Sequence, residues 1–480
     1  MSETAIYILV LILYMSFLVA IGVLTSRRTK SVEDFYIGGR RVGPWVTALS
    51  YVAAYFSTVL IVGGGGFGYT YGLSTLWIGA ANVLVGCTLV WILLGRRVRQ
   101  FTARLKTMTV PGFLAERFQA REARIFSSLV ISAFLVVYNV SVLVGMGRVF
   151  EVLMGIPYEA GVVLSGAIIT LYVVLGGYLA VVWTSFFQAW VMGIGLILLA
   201  VAALRAVGGL STAVVKLAEI DPGLVGTPGV WGIAGLISYC LIVSFGAWGM
   251  PQLVVRFYSI KNVRVLRVGT VVATVGAMMA LLPYLSGAIA RVLYPNLANP
   301  DLAVPTLTKG VLSPWGGAVF LAGALAAGMS TFSSVLIITS TAIVRDFYQK
   351  GLRRPLSDQH VVSYGRTTSL LLGLVSLLLA LRPPTLVLVM TAFSWAAIAS
   401  TCLWPVVLGL YWKGATRWGA LAAMAGGLTV SLVWMGLRSP FGVHGFIPGV
   451  ATSLFLLVVV SALTRKLPAD HLARVWGEKG

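Results

Sequence analysis

Apolar stretches of about 20 residues, separated by short charged or Gly/Pro-containing segments, recur along the whole chain. A run of that length is what an α-helix needs to cross a hydrocarbon layer about 30 Å thick. The pattern predicts an all-α protein with thirteen spans, near 5–24, 44–70, 74–95, 122–150, 158–180, 184–206, 230–253, 268–290, 311–344, 362–381, 385–411, 417–437 and 446–464. The first lacks a small-residue cleavage site and reads as a true span rather than a signal peptide. Two spans are interrupted. The second, "SYVAAYFSTVLIVGGGGFGYTYG", carries Gly63 to Gly66 after the polar cluster Tyr55, Ser57 and Thr58, and the seventh is broken by Gly246, Gly249 and Pro251. Broken spans at matching places in two halves point to an inverted repeat with a binding site between them. The expected organisation is a single transporter domain. Residues 44–206 form one repeat, 230–411 the inverted second, and 417–464 two further spans. The competing reading is that the glycines only let helices pack closely.

Composition narrows the class. The chain is 59% hydrophobic and 10% charged, with mean hydropathy +0.95. A soluble core needs far less apolar surface. A net charge of +21 raises the possibility of nucleic acid, but the positions of the charges argue against it. All Lys and Arg except Arg148, Arg205, Lys216, Arg291, Lys309, Arg382 and Arg438 fall in alternate loops, on one side of the membrane. Under the positive-inside rule that places the N-terminus outside and the C-terminus in the cytoplasm of a cell-membrane protein. The basic excess then meets anionic lipids of the inner leaflet. Cys87, Cys240 and Cys402 are isolated within spans, so neither disulfides nor zinc is indicated.

All fourteen acids lie in loops or at helix ends. A proton-driven carrier keeps an ionisable group at membrane depth, and a cationic solute needs a counter-charge there. The transported species is therefore expected to be neutral or anionic. No HExxH, buried acid pair or Ser/His pairing suggests an enzyme.

The ninth span contains "LAAGMSTFSS" (325–334). Ser330 and Thr331 are adjacent, with Ala327 one turn earlier on the same face. A small residue there leaves the Ala327 carbonyl free to tilt toward an ion. Two hydroxyls, that carbonyl and unwound backbone of the second span make about five neutral oxygen ligands, a set that suits sodium. Ser333 and Ser334 are expected to bond back to the preceding turn.

The stretches "DFYIGGRRVGPWVTALS" (34–50), "VPGFLAERF" (110–118), "VLGGYLAVVWTSFFQAWVM" (174–192), "MPQLVVRFYSIKN" (250–262) and "LAAGMSTFSSVLIITSTAIVRDFY" (325–348) resemble the sodium:solute symporter family over roughly residues 30–460. That family includes carriers for proline, sugars, sialic acid, monocarboxylates and pantothenate. The resemblance implies a leucine-transporter-type five-plus-five inverted repeat, with one helix in front and two behind. It also implies Na+ as coupling ion, held by the carbonyls of Ala53, Phe56 and Ala327 and the hydroxyls of Ser330 and Thr331. The solute would lie beside it, near Ser57, Gly63, Tyr138, Ser244 and Trp248.

This chain departs from proline-type members. Tyr55 stands where they have an acid, Val243 and Ala247 where they have pocket aromatics, and Ser185 where many members have an acid after "WT". The stretches 205–224 and 285–307 look most like the pantothenate and monocarboxylate branch. The expected function is sodium-coupled import of a small carboxylate-bearing solute by alternating access. A proline-like amino-acid symporter is the alternative within transport. A solute sensor is the alternative from another class, disfavoured because the segment after Arg465 is too short for a signalling domain.

Overall fold

The computed structural model describes residues 2–26 and 32–477. Arg27, Arg28, Lys30 and Lys479, counted above among the inner charges, lie outside them. Every expected span falls on helix. The first is Glu3–Ser26, the fourth Arg121–Met154, the ninth Pro314–Thr341 running on to Gly351, the tenth Asp358–Ala380, the eleventh Val387–Tyr411, the twelfth Arg417–Gly436 and the thirteenth Phe446–Leu463. Among the described residues, eleven stretches are long and apolar enough to cross a membrane, against thirteen expected. The difference has two sources. The C-terminal half of the second span and the third span follow each other as one helical stretch, Val59–Arg104. The fifth is a shorter apolar helix, Tyr158–Leu171. The fifth and sixth spans meet at Gly177, whose φ of 65° only glycine adopts at low cost, a few residues before the expected boundary.

Helices of this length bury their backbone bonds internally, so packing decides which sit inside. In the most apolar 18-residue stretch of the ninth span 94% of the residues are buried, and in that of the first 22%. The hydroxyl-rich ninth span is thus the centre of the bundle, and the apolar first, tenth, twelfth and thirteenth spans are its rim.

The basic loops gather on one face. Arg40 reaches the carbonyls of Thr102 and Thr107, Arg99 that of Ile260, and Arg121 that of Gly351. Arg117, buried in the loop helix Val110–Phe118, donates to Gly409 O at 2.7 Å and Trp412 O at 3.0 Å at the end of the eleventh span. The C-terminal helix Ala469–Trp476 docks on the same face, with His471 Nε2 3.2 Å from Arg117 O and Trp476 against Phe101. A backbone bridge joins Val42, just before the second span, to Ile260, just after the seventh. The start of the second span and the end of the seventh therefore lie side by side.

On the opposite face Asp301 is buried between the eighth and ninth spans. Its Oδ2 accepts from Val387 N, the first residue of the eleventh span, at 3.2 Å. Burial, the largest influence, pushes its pKa up to about 6, against the opposing Val387 bond and the field of Arg148. Because this value lies above that of an exposed carboxylate, the fold favours the neutral form. Stability is full at low pH and falls as pH rises through about 6. Asp301→Asn keeps the acceptor and removes the charge. It should stabilise the protein by about 2–3 kcal/mol at pH 7.5, with the gain shrinking below pH 5. Thermal unfolding in detergent at the two pH values measures it, and an equal shift at both would refute the assignment.

Candidate functional site

The second span is broken, but not at its glycines. Helix Pro44–Tyr55 ends where Phe56 turns extended (φ −101°, ψ 93°), and helix resumes at Val59. Ser57 restarts it, accepting from Val59 N on its hydroxyl at 3.1 Å and from Leu60 N on its carbonyl at 3.0 Å. Thr58 pins the break to the fourth span by donating to Val142 O at 2.8 Å. The expected unwinding at Gly63–Gly66 is thus corrected to Phe56–Thr58. The glycines are helical and serve close approach. A Cβ on Gly63 would fall 2.9 Å from Leu388 N, one on Gly65 2.2 Å from the Val304 side chain, and one on Gly68 2.1 Å from Tyr284 O. The seventh span breaks where expected. Helix Gly232–Ser244 gives way to a tight turn over Phe245–Gly249, and Pro251 opens Pro251–Ser259.

At the first break the ninth span supplies its hydroxyls. Ser330 Oγ lies 2.7 Å from Ala53 O and 2.9 Å from Ala327 O. Thr331 Oγ1 lies 3.2 Å from Ala54 O and 3.5 Å from Ala53 O. Ala53, Ala54, Phe56, Ala327, Ser330 and Thr331 are all buried. Two hydroxyl protons thus face three carbonyls, a set with more lone pairs than protons and no formal charge. Such a cluster suits a small hard cation. Phe56, at the open end of the break, has its carbonyl swung off the helix axis by its extended ψ. Gly328 permits the approach, since a Cβ there would lie 2.4 Å from Met146 Sδ and 3.1 Å from Thr58. Ser333 and Ser334 bond back to Ser330 O at 3.2 and 2.7 Å, as expected. Ser334 also accepts from the buried Arg256 at 2.6 Å. Ser185 is buried, and its hydroxyl has no partner among the described residues.

Beside the break is a cavity lined by Tyr55, Phe56, Ser57, Val59, Leu60, Asn82, Tyr138, Val243, Tyr284, Leu388, Thr391 and Trp395. It has about 30 Å³ of room for water centres, enough for roughly two waters. Among the described residues, its walls carry no charged side chain. Of the solute residues implied by resemblance, Ser57 and Tyr138 are on the wall, their oxygens 3.5 Å apart. Gly63, Ser244 and Trp248 are not. Gly63 packs on Leu388, Ser244 bonds back to Cys240 O, and Trp248 spends its indole N–H on Val85 O at 3.1 Å. Two departures noted in the sequence meet here: Tyr55 OH donates to Val243 O at 2.5 Å. The large Tyr55 reaches across to the small Val243, and Gly86 leaves it room, since a Cβ there would sit 1.8 Å from the phenol oxygen. Asn82 of the third span and Thr391 and Trp395 of the eleventh were not foreseen. The one hint was a run of small and hydroxyl residues in the eleventh span, Thr391 to Thr401, like that of the ninth. Arg148 is no part of the cavity; it pairs with Glu151 at 2.8 Å and lies over the Tyr158 ring.

The profile of the sodium:solute symporter family matches residues 35–427. The osmoregulated proline transporter OpuE of Bacillus subtilis (strain 168) is 33% identical over 475 residues, 97% of this chain and 96% of that protein. A sodium/pantothenate symporter of Haemophilus influenzae is 31% identical over 470 residues, covering 95% and 96%. Among solved structures, a Na+-coupled sialic acid symporter in a substrate-bound outward-open state superposes with TM-score 0.82 at 19% identity, over 96% of this chain and 99% of that one. Mhp1, a nucleobase-cation-symport-1 family transporter, gives 0.55 at 16% identity, over 92% and 97%. At such identities the likeness shows the fold, which is leucine-transporter-type.

Proposed function

The chain belongs to the sodium:solute symporter family, with sodium as its coupling ion, and from that premise we propose that it imports a small carboxylate-bearing solute with one sodium per cycle. The observation that carries this is the uncharged oxygen cluster of Ala53, Ala327, Ser330 and Thr331 at the break of the second span, next to the cavity. With the carbonyl of Phe56, it is the sodium site in this reading. Residues 44–206 and 230–411 are the two repeats that rock against each other, with the N-terminus outside and the C-terminal helix in the cytoplasm. Of the solutes named for the relatives, the smaller, proline, suits the compact, aromatic and neutral walls better than pantothenate, and the cavity, with room for about two waters, must widen to admit it. The chain acts as a carrier rather than an enzyme or a sensor.

A single sodium follows from the residues. Ser185 replaces the acid that many members place there, and no carboxylate stands in the oxygen cluster. One sodium gains about 2.3 kcal/mol from 100 mV and about 1.4 kcal/mol from a tenfold gradient, so a zwitterion should be concentrated several hundredfold. A monoanion moving with one sodium carries no net charge and should reach only about tenfold. Uptake into proteoliposomes from a panel of proline, pantothenate and pyruvate tests this. Zwitterion uptake should rise with a potassium–valinomycin potential, negative inside, and show a sodium Hill coefficient near one. A coefficient near two would mean that a second sodium site exists despite Ser185. Uptake indifferent to sodium for every solute would overturn the assignment.

A further inference from the structure

Taking this cavity as the solute site, we propose that the indole N–H of Trp395 is the donor that holds the solute's carboxylate. Trp395 borders the cavity from the eleventh span and is buried. Among the buried polar side-chain atoms of the lining, its Nε1 is the one left without a partner among the described residues. Of the other lining groups, Tyr55 OH is engaged with Val243 O and Asn82 Oδ1, Thr391 with Ser141 at 2.8 Å, Ser57 with Val59 N, and Tyr138 with Ser57 at 3.5 Å. A buried unpaired donor is costly, and a site that bears one selects a ligand with an acceptor for it. The ring is held in place. It stacks on Tyr55 at 6.0 Å with planes 14° apart and meets Tyr138 edge-on at 5.8 Å. Its Cε3 edge faces Gly246 at the break of the seventh span, which turns the Nε1 edge away from that span. Trp395 therefore touches the second-span break through Tyr55, the fourth span through Tyr138 and the seventh-span break through Gly246.

Among the described residues, no arginine, lysine or histidine lines the cavity. A carboxylate entering it finds neutral donors alone, and Trp395 adds a fully buried one that nothing else among the described residues satisfies. A charge-assisted bond to an otherwise unpaired donor accounts for carboxylate selectivity without a cationic side chain. The Trp395 and Tyr138 rings that border the cavity offer aromatic surface that a solute ammonium group can meet at the same time. The site is thereby matched to a compact zwitterion.

The test uses the full-length protein in proteoliposomes, with labelled proline as probe and prolinamide, which lacks the carboxylate, as competitor. Trp395→Phe keeps an aromatic ring and removes the donor. The half-saturating proline concentration should rise about ten- to a hundredfold. The sodium dependence should stay as in wild type, and prolinamide should compete as it does against wild type. Should the phenylalanine variant fold poorly, 3-benzothienylalanine at position 395 replaces the N–H by sulfur at nearly constant shape and should give the same shift. An unchanged proline affinity in either variant, or equal weakening toward acid and amide, overturns the assignment and leaves the symporter reading intact. A wild-type protein that takes up no carboxylate of the panel with sodium overturns both.

Discussion

Thr331→Ala and Ser330→Ala should each raise the sodium concentration for half-maximal uptake by about ten- to a hundredfold. Each hydroxyl is one of about five neutral ligands in the proposed site, and each reaches across from the ninth span to the broken second span, Ser330 to Ala53 O at 2.7 Å and Thr331 to Ala54 O at 3.2 Å. Removing one takes away an oxygen that bonds a charge, a loss of about 1.5–3 kcal/mol. It also leaves a carbonyl of the break without its hydroxyl partner in the sodium-free protein. The two variants should therefore shift sodium affinity strongly while the maximal rate at saturating sodium falls less. Serine at 333 is the contrast. Its hydroxyl bonds back within its own helix, so Ser333→Ala should change sodium dependence little. Uptake measured over a sodium series in the three variants checks this. Wild-type sodium dependence in both Ser330→Ala and Thr331→Ala would place the ion elsewhere.

Gly68→Ala should abolish uptake. The C-terminal half of the second span lies against the eighth with backbone on backbone: a Cβ at Gly68 would sit 2.1 Å from Tyr284 O, and one at Gly287 1.9 Å from Gly65 O. Carbonyl oxygens of two packed helices cannot step aside as a side-chain tip can, so one methyl must push the spans apart. Overpacking of this kind costs about 1–3 kcal/mol or more. Here it also moves Tyr284, a wall of the cavity. Gly235→Ala is the control, with nothing nearer than 3.6 Å to the added carbon. Uptake and membrane-inserted amount, measured together, should show Gly68→Ala inserted but inactive and Gly235→Ala normal. An active Gly68→Ala would mean that the seam of the second and eighth spans can open freely.

The glycine-rich stretch shows where sequence reasoning reaches its limit. Four glycines in a row permit an unwound backbone and permit close packing equally well, because both follow from the missing Cβ. Which one occurs depends on what lies opposite, and here it is Leu388, Val304 and Tyr284, from three distant parts of the chain. The break itself sits at Phe56–Thr58, where Ser57 can restart a helix with its own hydroxyl. The oxygen face of Ala327, Ser330 and Thr331 was legible because it is local: one helix and one turn bring the three together. Its partner Ala53, like the proposed ligand Phe56, was reachable only through the family resemblance. Hydrophobic runs marked out the helices for the same local reason, and failed only where helices meet without a polar interval, as at Gly177. Trp395 and Asn82 had no such signal. Each is a single residue in an apolar span, and only the packing of the second, third, fourth and eleventh spans makes them neighbours.

Paired flux of labelled sodium and labelled solute into proteoliposomes is the most direct test of the central claim, that one ion at the Ala53–Ser330–Thr331 cluster drives one solute inward. The account predicts equal molar uptake of the two in the wild-type protein. At a sodium concentration that half-saturates wild type, it predicts that both fluxes fall together in Thr331→Ala. Solute uptake without accompanying sodium, or a sodium flux that Thr331→Ala leaves untouched, would contradict it.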